Sequence, residues 1–323
     1  MQPLRNLVVA TDFSAPSRHA AHRAALLAEP AGAALTLVHS VAGSALEDLR
    51  RWLVDDPRTA RLVEDDADRR LRSLAADLGA ARGIEVRTCV AVGHPAEQII
   101  RHADDVDADL VVAGTRGAGF IRGTLVGSTA ERIAKRSPRP VLMVRQLPHE
   151  PYRRLLLPVD FSDWSRAAIE TALRIAPGAT LVLVHALEVP FEGKMRLAGV
   201  SDEIVAKYRD NARREARERL EQLISETGLD RALVRLSVPV GADPWMLIVQ
   251  EEQEHDCDLV VIGRQGRHAL DEFLLGSTTR MVIAEGSADV LVQGSCEGPT
   301  PRAASAASSS APNRLKRSVR APR

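Results

Sequence analysis

The sequence predicts two tandem α/β domains, each a doubly wound parallel sheet with helices on both faces. Three observations predict it. Short aliphatic runs alternate with longer helical patterns through residues 1–293, as parallel strands and their covering helices do. The run Leu110–Ala113 feeds a glycine-rich turn and then a helix start, within Asp109 to Thr129 (DLVVAGTRGAGFIRGTLVGST). That whole stretch recurs at Asp258 to Thr278 (DLVVIGRQGRHALDEFLLGST). Gly114, Gly117 and Gly127-Ser128 map onto Gly263, Gly266 and Gly276-Ser277 at a constant offset of 149 residues. Both copies fit G-x2-G-x9-G-S, so the chain carries an internal duplication.

Each element has its own signal. Leu4–Ala10 reads as the first strand, ending in Thr11-Asp12-Phe13-Ser14. Ser14 or Ser17 is a candidate cap for the next helix, Pro16–Glu29, which Pro30 and Gly32 close. Leu35–His39 is the second strand; a polar, irregular stretch and a long helix to about Ala81 follow. Ile84–Val90 is the third strand, and Gly93-His94-Pro95 starts a helix ending near Asp104. The glycine turn leads into the helix of Ala130–Lys135, stopped by Ser137-Pro138-Arg139-Pro140. Val141–Val144 is the fifth strand. After a proline-bearing linker, Leu155–Pro158, Leu181–His185, a charged helix over Asp202–Thr227 and Val290–Val292 repeat the cycle. Asp12 and Asp160, and Gly93 and Gly241, lie 148 residues apart. The domains are expected at 1–146 and 153–293. Residues 294–323, Ala/Ser-rich and then basic, read as a disordered tail dispensable for folding.

Composition bounds the partners. The 323 residues suit about two domains, and 45% hydrophobic with 3% aromatic content makes their cores aliphatic. Net charge is zero overall but +2 over 1–148, −7 over 149–293 and +5 over the tail. No basic bias points to nucleic acid. Three cysteines form neither C-x-x-C nor a disulfide framework, which suggests a reducing, cytoplasmic setting. Neither a signal peptide nor a membrane span is expected.

A strand, a glycine loop and a helix start form a phosphate-binding turn: glycines let backbone N–H groups approach phosphate oxygens, and the helix N-terminus adds donors. The G-x2-G-x9-G-S spacing after DLVV resembles the nucleotide-binding motif of the universal stress protein family, and the chain is similar to a tandem member. The resemblance implies a Rossmann-like, adenine nucleotide alpha hydrolase-like fold with strand order 3-2-1-4-5 and an internal pseudo-dimer. It implies ATP as cofactor, with Mg²⁺ an open companion, and a regulatory role in stress or dormancy. Ligand-contacting positions would be Ala10, Thr11, Asp12, Ser40, Gly114, Gly117, Gly127, Ser128 and Thr129 in the first copy. Their counterparts are Pro158, Val159, Asp160, Ala186, Gly263, Gly266, Gly276, Ser277 and Thr278. Asp12 and Asp160, read first as nucleotide contacts, also fit caps of the first helix of each copy, and Ser128 and Ser277 also fit plain N-caps.

Other readings are weaker. Gly117-x-Gly119 starts a dinucleotide fingerprint that Arg122 breaks, and no G-x-x-x-x-G-K-[ST] occurs. H-I-G-H and S-G-G-x-D-S, the marks of related synthetases and pyrophosphatases, are missing. His19 and His22 lack a third metal ligand, and His39 and His185 read as packing residues. No catalytic residue and no metal site is expected. The alternatives are a nucleotide-free scaffold for a partner protein, or a weak ATPase; a homodimer is left open. Arg116 and Arg122 in the first loop, against Asp271 and Glu272 beside Arg264 and Arg267 in the second, predict tighter ATP binding by the first cradle.

Overall fold

The computed structural model describes residues 3–42, 57–117, 126–189, 191–266 and 275–294. The polar stretch after the second strand, loop residues Gly119, Arg122, Gly123, Arg267, Asp271 and Glu272, and the tail beyond Gly294 lie outside the described residues.

In the first half, β1 (Asn6–Ala10), β2 (Ala34–Val41), β3 (Val86–Val92), β4 (Leu110–Gly114) and β5 (Val141–Val144) alternate with α1 (Ala15–Ala31), α2 (Pro57–Arg82), α3 (Pro95–Asp105) and α4 (Ser128–Arg136). The second half runs β6 (Arg154–Pro158), α5 (Asp163–Ile175), β7 (Thr180–Val184), α6 (Glu192–Leu197), α7 (Asp202–Thr227), β8 (Val234–Ser237), α8 (Pro244–Glu254), β9 (Leu259–Gly263), α9 (Ser277–Glu285) and β10 (Asp289–Gln293). The third strand starts two residues later than its apolar pattern indicates. Helix α1 runs through Pro30 to Gly32, whose left-handed backbone (φ 61°) closes it as glycine can. The short α6 carries no buried face, so hydrophobic periodicity gave no sign of it.

All ten strands form one sheet in the order β3-β2-β1-β4-β5-β10-β9-β6-β7-β8. Each half therefore has the order 3-2-1-4-5. Every pairing is parallel except β5 with β10, which join the halves antiparallel. Their register sets Val141 opposite Val292, Leu142 opposite Leu291 and Met143 opposite Val290. With the 149-residue offset, Leu142 faces its own counterpart, so an approximate twofold axis passes through that pair, as in an isologous dimer. The join removes two exposed edge strands.

Both sheet faces carry apolar cores that continue across the join. Helices α1, α2, α5 and α7 cover one face through Ala24, Leu71, Ile169 and Leu220. Helices α3, α4, α8 and α9 cover the other through Ile99, Ile133, Ile248 and Ile283. A buried and a part-buried ion pair tie the halves together. Arg23 Nε lies 3.3 Å from Asp289 Oδ2, which also accepts from Tyr152 Oη at 2.7 Å. Arg174 of α5 pairs with Asp109 at 2.5 Å. No described helix is long and apolar enough to cross a membrane.

Candidate functional site

In an open α/β sheet the crevice opens at the carboxyl ends of strands where the order reverses, here between β1 and β4. A cavity of about 650 Å³ lies there. The tip of β1 supplies Ala10, Thr11 and Asp12; β2 supplies His39 and Ser40; the end of β4 supplies Gly114, Arg116 and Gly117; and the start of α4 supplies Gly127, Ser128 and Thr129. All nine first-copy candidate residues are thus on its walls.

The tip of β1 is held by its own side chains. Phe13 sits in the left-handed region at φ 65°, a strained conformation for a bulky residue. The Asp12 Oδ1 atom accepts from the Ser14 N–H at 3.0 Å and the Ser14 hydroxyl at 2.5 Å. Ser14, not Asp12, caps α1, receiving the Ser17 N–H. The exposed Asp12 carboxylate thus shapes the turn with one oxygen and turns Oδ2 toward Gly117. His39 donates from Nδ1 to the Thr11 carbonyl at 2.8 Å, and its ring lies 4.4 Å from that of Phe13. The packing role of His39 holds, but its side is also a cavity wall, which the sequence did not indicate. Arg70 of α2 covers Phe13, as its counterpart Arg219 of α7 covers Phe161.

The glycines do different work. A Cβ at Gly117 would stand 2.6 Å from Asp12 Oδ2, so the bare backbone is what lets the carboxylate and the loop meet. A Cβ at Gly114 would instead strike the Pro16 carbonyl carbon and oxygen at 2.8 Å: this glycine seats α1 on β4. Gly127 occupies the N-cap of α4 without a side-chain hydrogen bond, and Gly276 does the same for α9. Ser128 and Ser277 are therefore first-turn residues rather than caps. The first-turn N–H groups have no intrahelical acceptor, and in α4 they border the cavity.

The second cradle keeps the backbone plan but is filled differently. Asp160 Oδ1 accepts from Ser162 and also from Ser165 Oγ at 2.7 Å. Pro158, Val159, Asp160, Ala186, Gly263, Gly266, Gly276, Ser277 and Thr278 contribute nothing to the 650 Å³ cavity. Trp164 replaces Pro16 and lies against Gly263, where a Cβ would meet Trp164 Cβ at 2.8 Å. Arg264, at the position of Thr115, is buried; it stacks on Trp164 and donates to the carbonyls of Lys135 and Ser137 at 3.1 and 3.0 Å. It thereby caps the C-terminus of α4 across the join. Gln265, at the position of exposed Arg116, is buried, and Thr279, in place of Ala130, bonds the Gly263 carbonyl at 2.9 Å. A smaller cavity of about 180 Å³, lined by Phe161, Arg166 and Arg219 among others, lies away from this loop.

Three wall residues come from the other half: Arg280, Met281 and Ala284 of α9. Nothing local in the sequence marks them. Among the described residues no group of three or more His, Cys, Asp or Glu is arranged to hold a metal.

The sequence pattern of the universal stress protein family matches residues 3–145 and again 151–293. The chain belongs to the universal stress protein family. Among universal stress proteins, Rv2005c of Mycobacterium tuberculosis is 26% identical over 301 residues, covering 88% of this chain and 96% of that protein. YxiE of Bacillus subtilis is 34% identical over 71 residues, which is 22% of this chain and 48% of YxiE, about half its length. A universal stress protein from Archaeoglobus fulgidus superposes with a TM-score of 0.64 at 19% identity, covering 89% of this chain and 97% of that one, a likeness of fold.

Proposed function

We propose that this universal stress protein binds an adenine nucleotide, ATP, in the first cradle, and that it regulates a stress or dormancy response through nucleotide-linked conformation or association. The observation that carries the proposal is the gathering of Ala10, Thr11, Asp12, Ser40, Gly114, Gly117, Gly127, Ser128 and Thr129 around one cavity. Its 650 Å³ falls in the range of roughly 300–1,000 Å³ that small ligands occupy. Exposed Asp12 suits ribose hydroxyls, while Gly117 and the uncapped start of α4 suit phosphate oxygens.

The role is binding rather than chemistry. Besides Asp12, the ionisable acid–base side chains on the wall are His39 and Glu131. Each is engaged, His39 with the Thr11 carbonyl and Glu131 with Lys135 at 2.6 Å. The second half supports a different reading, a structural partner for the first: Trp164 packs against Gly263, and Arg264 caps α4 across the join. The test is mass spectrometry of ligand released from purified, denatured protein, followed by calorimetric titration of the stripped chain with ATP. Release of adenine nucleotide and saturable binding near one equivalent support the proposal. Absence of binding to the folded, stripped chain defeats it, and two equal sites defeat the assignment to the first cradle.

A further inference from the structure

We infer that Arg280, carried by the second half, is a phosphate-binding residue of the first cradle, so that a bound nucleotide is held by both halves at once. The inference rests on the nucleotide reading of that cradle. Arg280, Met281 and Ala284 lie on one helix at i, i+1 and i+4, and all three border the cavity otherwise walled by residues 10–133. Two arginines line it, Arg116 and Arg280. Arg280 is exposed and has no ion-pair partner among the described residues. The cavity also holds the start of α4, with its open N–H donors. A guanidinium on the wall of such a cavity suits phosphate oxygens, which it can grip with two parallel N–H groups.

The twofold axis explains why this residue arrives from so far along the chain. Pairing of β5 with β10 brings α4 and α9, the helices that precede those strands, to the join. The counterpart of Arg280 at the 149-residue offset is Glu131, an acid. The exchange that hands the first cradle an arginine therefore gives the second half's loop no such cation. This asymmetry is independent of the loop charges, and it makes the nucleotide a clamp across the join in one cradle only.

The experiment is calorimetric titration of the full-length chain and of Arg280→Gln, Arg280→Lys and Arg280→Glu with ATP, AMP and adenosine. Ligand-free melting temperatures should match the parent, because the side chain is exposed and makes no described ion pair. Arg280→Gln should weaken ATP about tenfold and leave adenosine within about twofold, with Arg280→Lys in between and Arg280→Glu weakest. The ATP difference should shrink as salt rises. Unchanged ATP affinity in Arg280→Gln and Arg280→Glu, while the parent binds, overturns this inference and leaves the nucleotide site standing. Equal losses for ATP and adenosine overturn it as well, since a phosphate contact cannot act on a nucleoside. A parent chain that binds none of the three ligands defeats the nucleotide reading itself.

Discussion

Gly117→Ala is the sharpest probe of the first cradle. The backbone at Gly117 is not left-handed, so a methyl group costs nothing in φ. What it meets is Asp12 Oδ2, at 2.6 Å, with Asp12 Cγ next at 3.7 Å. An ordinary contact needs about 3.4 Å or more, so the carboxylate must swing by something under an ångström; such an off-rotamer shift costs of order 0.5–1.5 kcal/mol. Oδ1 is tethered to the Ser14 N–H and hydroxyl, and losing one of those bonds adds about 1 kcal/mol. The methyl also stands where the loop should approach phosphate. Together these predict a loss of about 1.5–2.5 kcal/mol in ATP binding, roughly tenfold to seventyfold. At Gly266 the same methyl lies 3.2 Å from Asp160 Oδ2, and a shift of a few tenths of an ångström relieves it. Gly266→Ala should therefore leave ATP affinity within about twofold of the parent. Gly114→Ala is the contrasting lesion: the obstacle is Pro16 backbone at 2.8 Å, which cannot swing aside, so stability should fall by about 1–3 kcal/mol. Calorimetry with ATP and thermal melting of the same preparations separate the three. Parent-like affinity in a folded Gly117→Ala protein, or a larger loss in Gly266→Ala, refutes the reasoning.

Three further outcomes are expected. Asp289→Ala strips the buried Arg23 guanidinium of its counter-ion and the Tyr152 hydroxyl and Arg145 N–H of their acceptor; urea unfolding should show a loss of about 3–5 kcal/mol, and a loss below about 1 kcal/mol would contradict the buried-pair account. Burial and the Asp258 carboxylate push the Cys257 thiol up to about 12 from its ordinary 9.0; the thiol's proton is held more tightly in the folded chain, so its contribution is complete below pH 9 and is lost between about 9 and 12. Melting curves of Cys257→Ala should therefore decline less steeply over that window than those of the parent; identical slopes would remove Cys257 from the account. Truncation after Gly294 should leave melting temperature and ATP affinity unchanged, and a drop of many degrees would assign the tail a structural role.

Much of this molecule is legible in its residues because the signals are local. A short run such as Leu110–Ala113 closed by a glycine turn reads as a buried strand, the glycine spacing marks the turn that follows it, and repetition at 149 residues reveals the duplication without any knowledge of contacts. The resemblance then named the nine positions that fold around the cavity. The glycines are legible as a group but not in their separate duties: Gly114 makes room for α1 at Pro16, while Gly117 makes room for Asp12, and a motif does not say which neighbour each one meets.

The described residues of the two cradles differ in packing. The loop acids Asp271 and Glu272, from which the charges predict tighter ATP binding by the first cradle, lie outside those residues. Trp164 packs against Gly263, Thr279 bonds the Gly263 carbonyl, and Arg264 caps α4 of the other half. An arginine beside a phosphate loop reads as a phosphate ligand, yet here the join offers it the helix-end carbonyls of Lys135 and Ser137. Arg280 is the converse, a surface residue in its own helix pattern that becomes a wall of a cavity almost 150 positions away in sequence. Periodicity and motif depend on neighbours along the chain, and these suffice to specify strands, helices, turns and the repeat. The walls of the cavity depend on which edge strands pair and in which register, and that was settled by Leu142 meeting Leu291, a contact between two residues whose local sequence says only that both are buried.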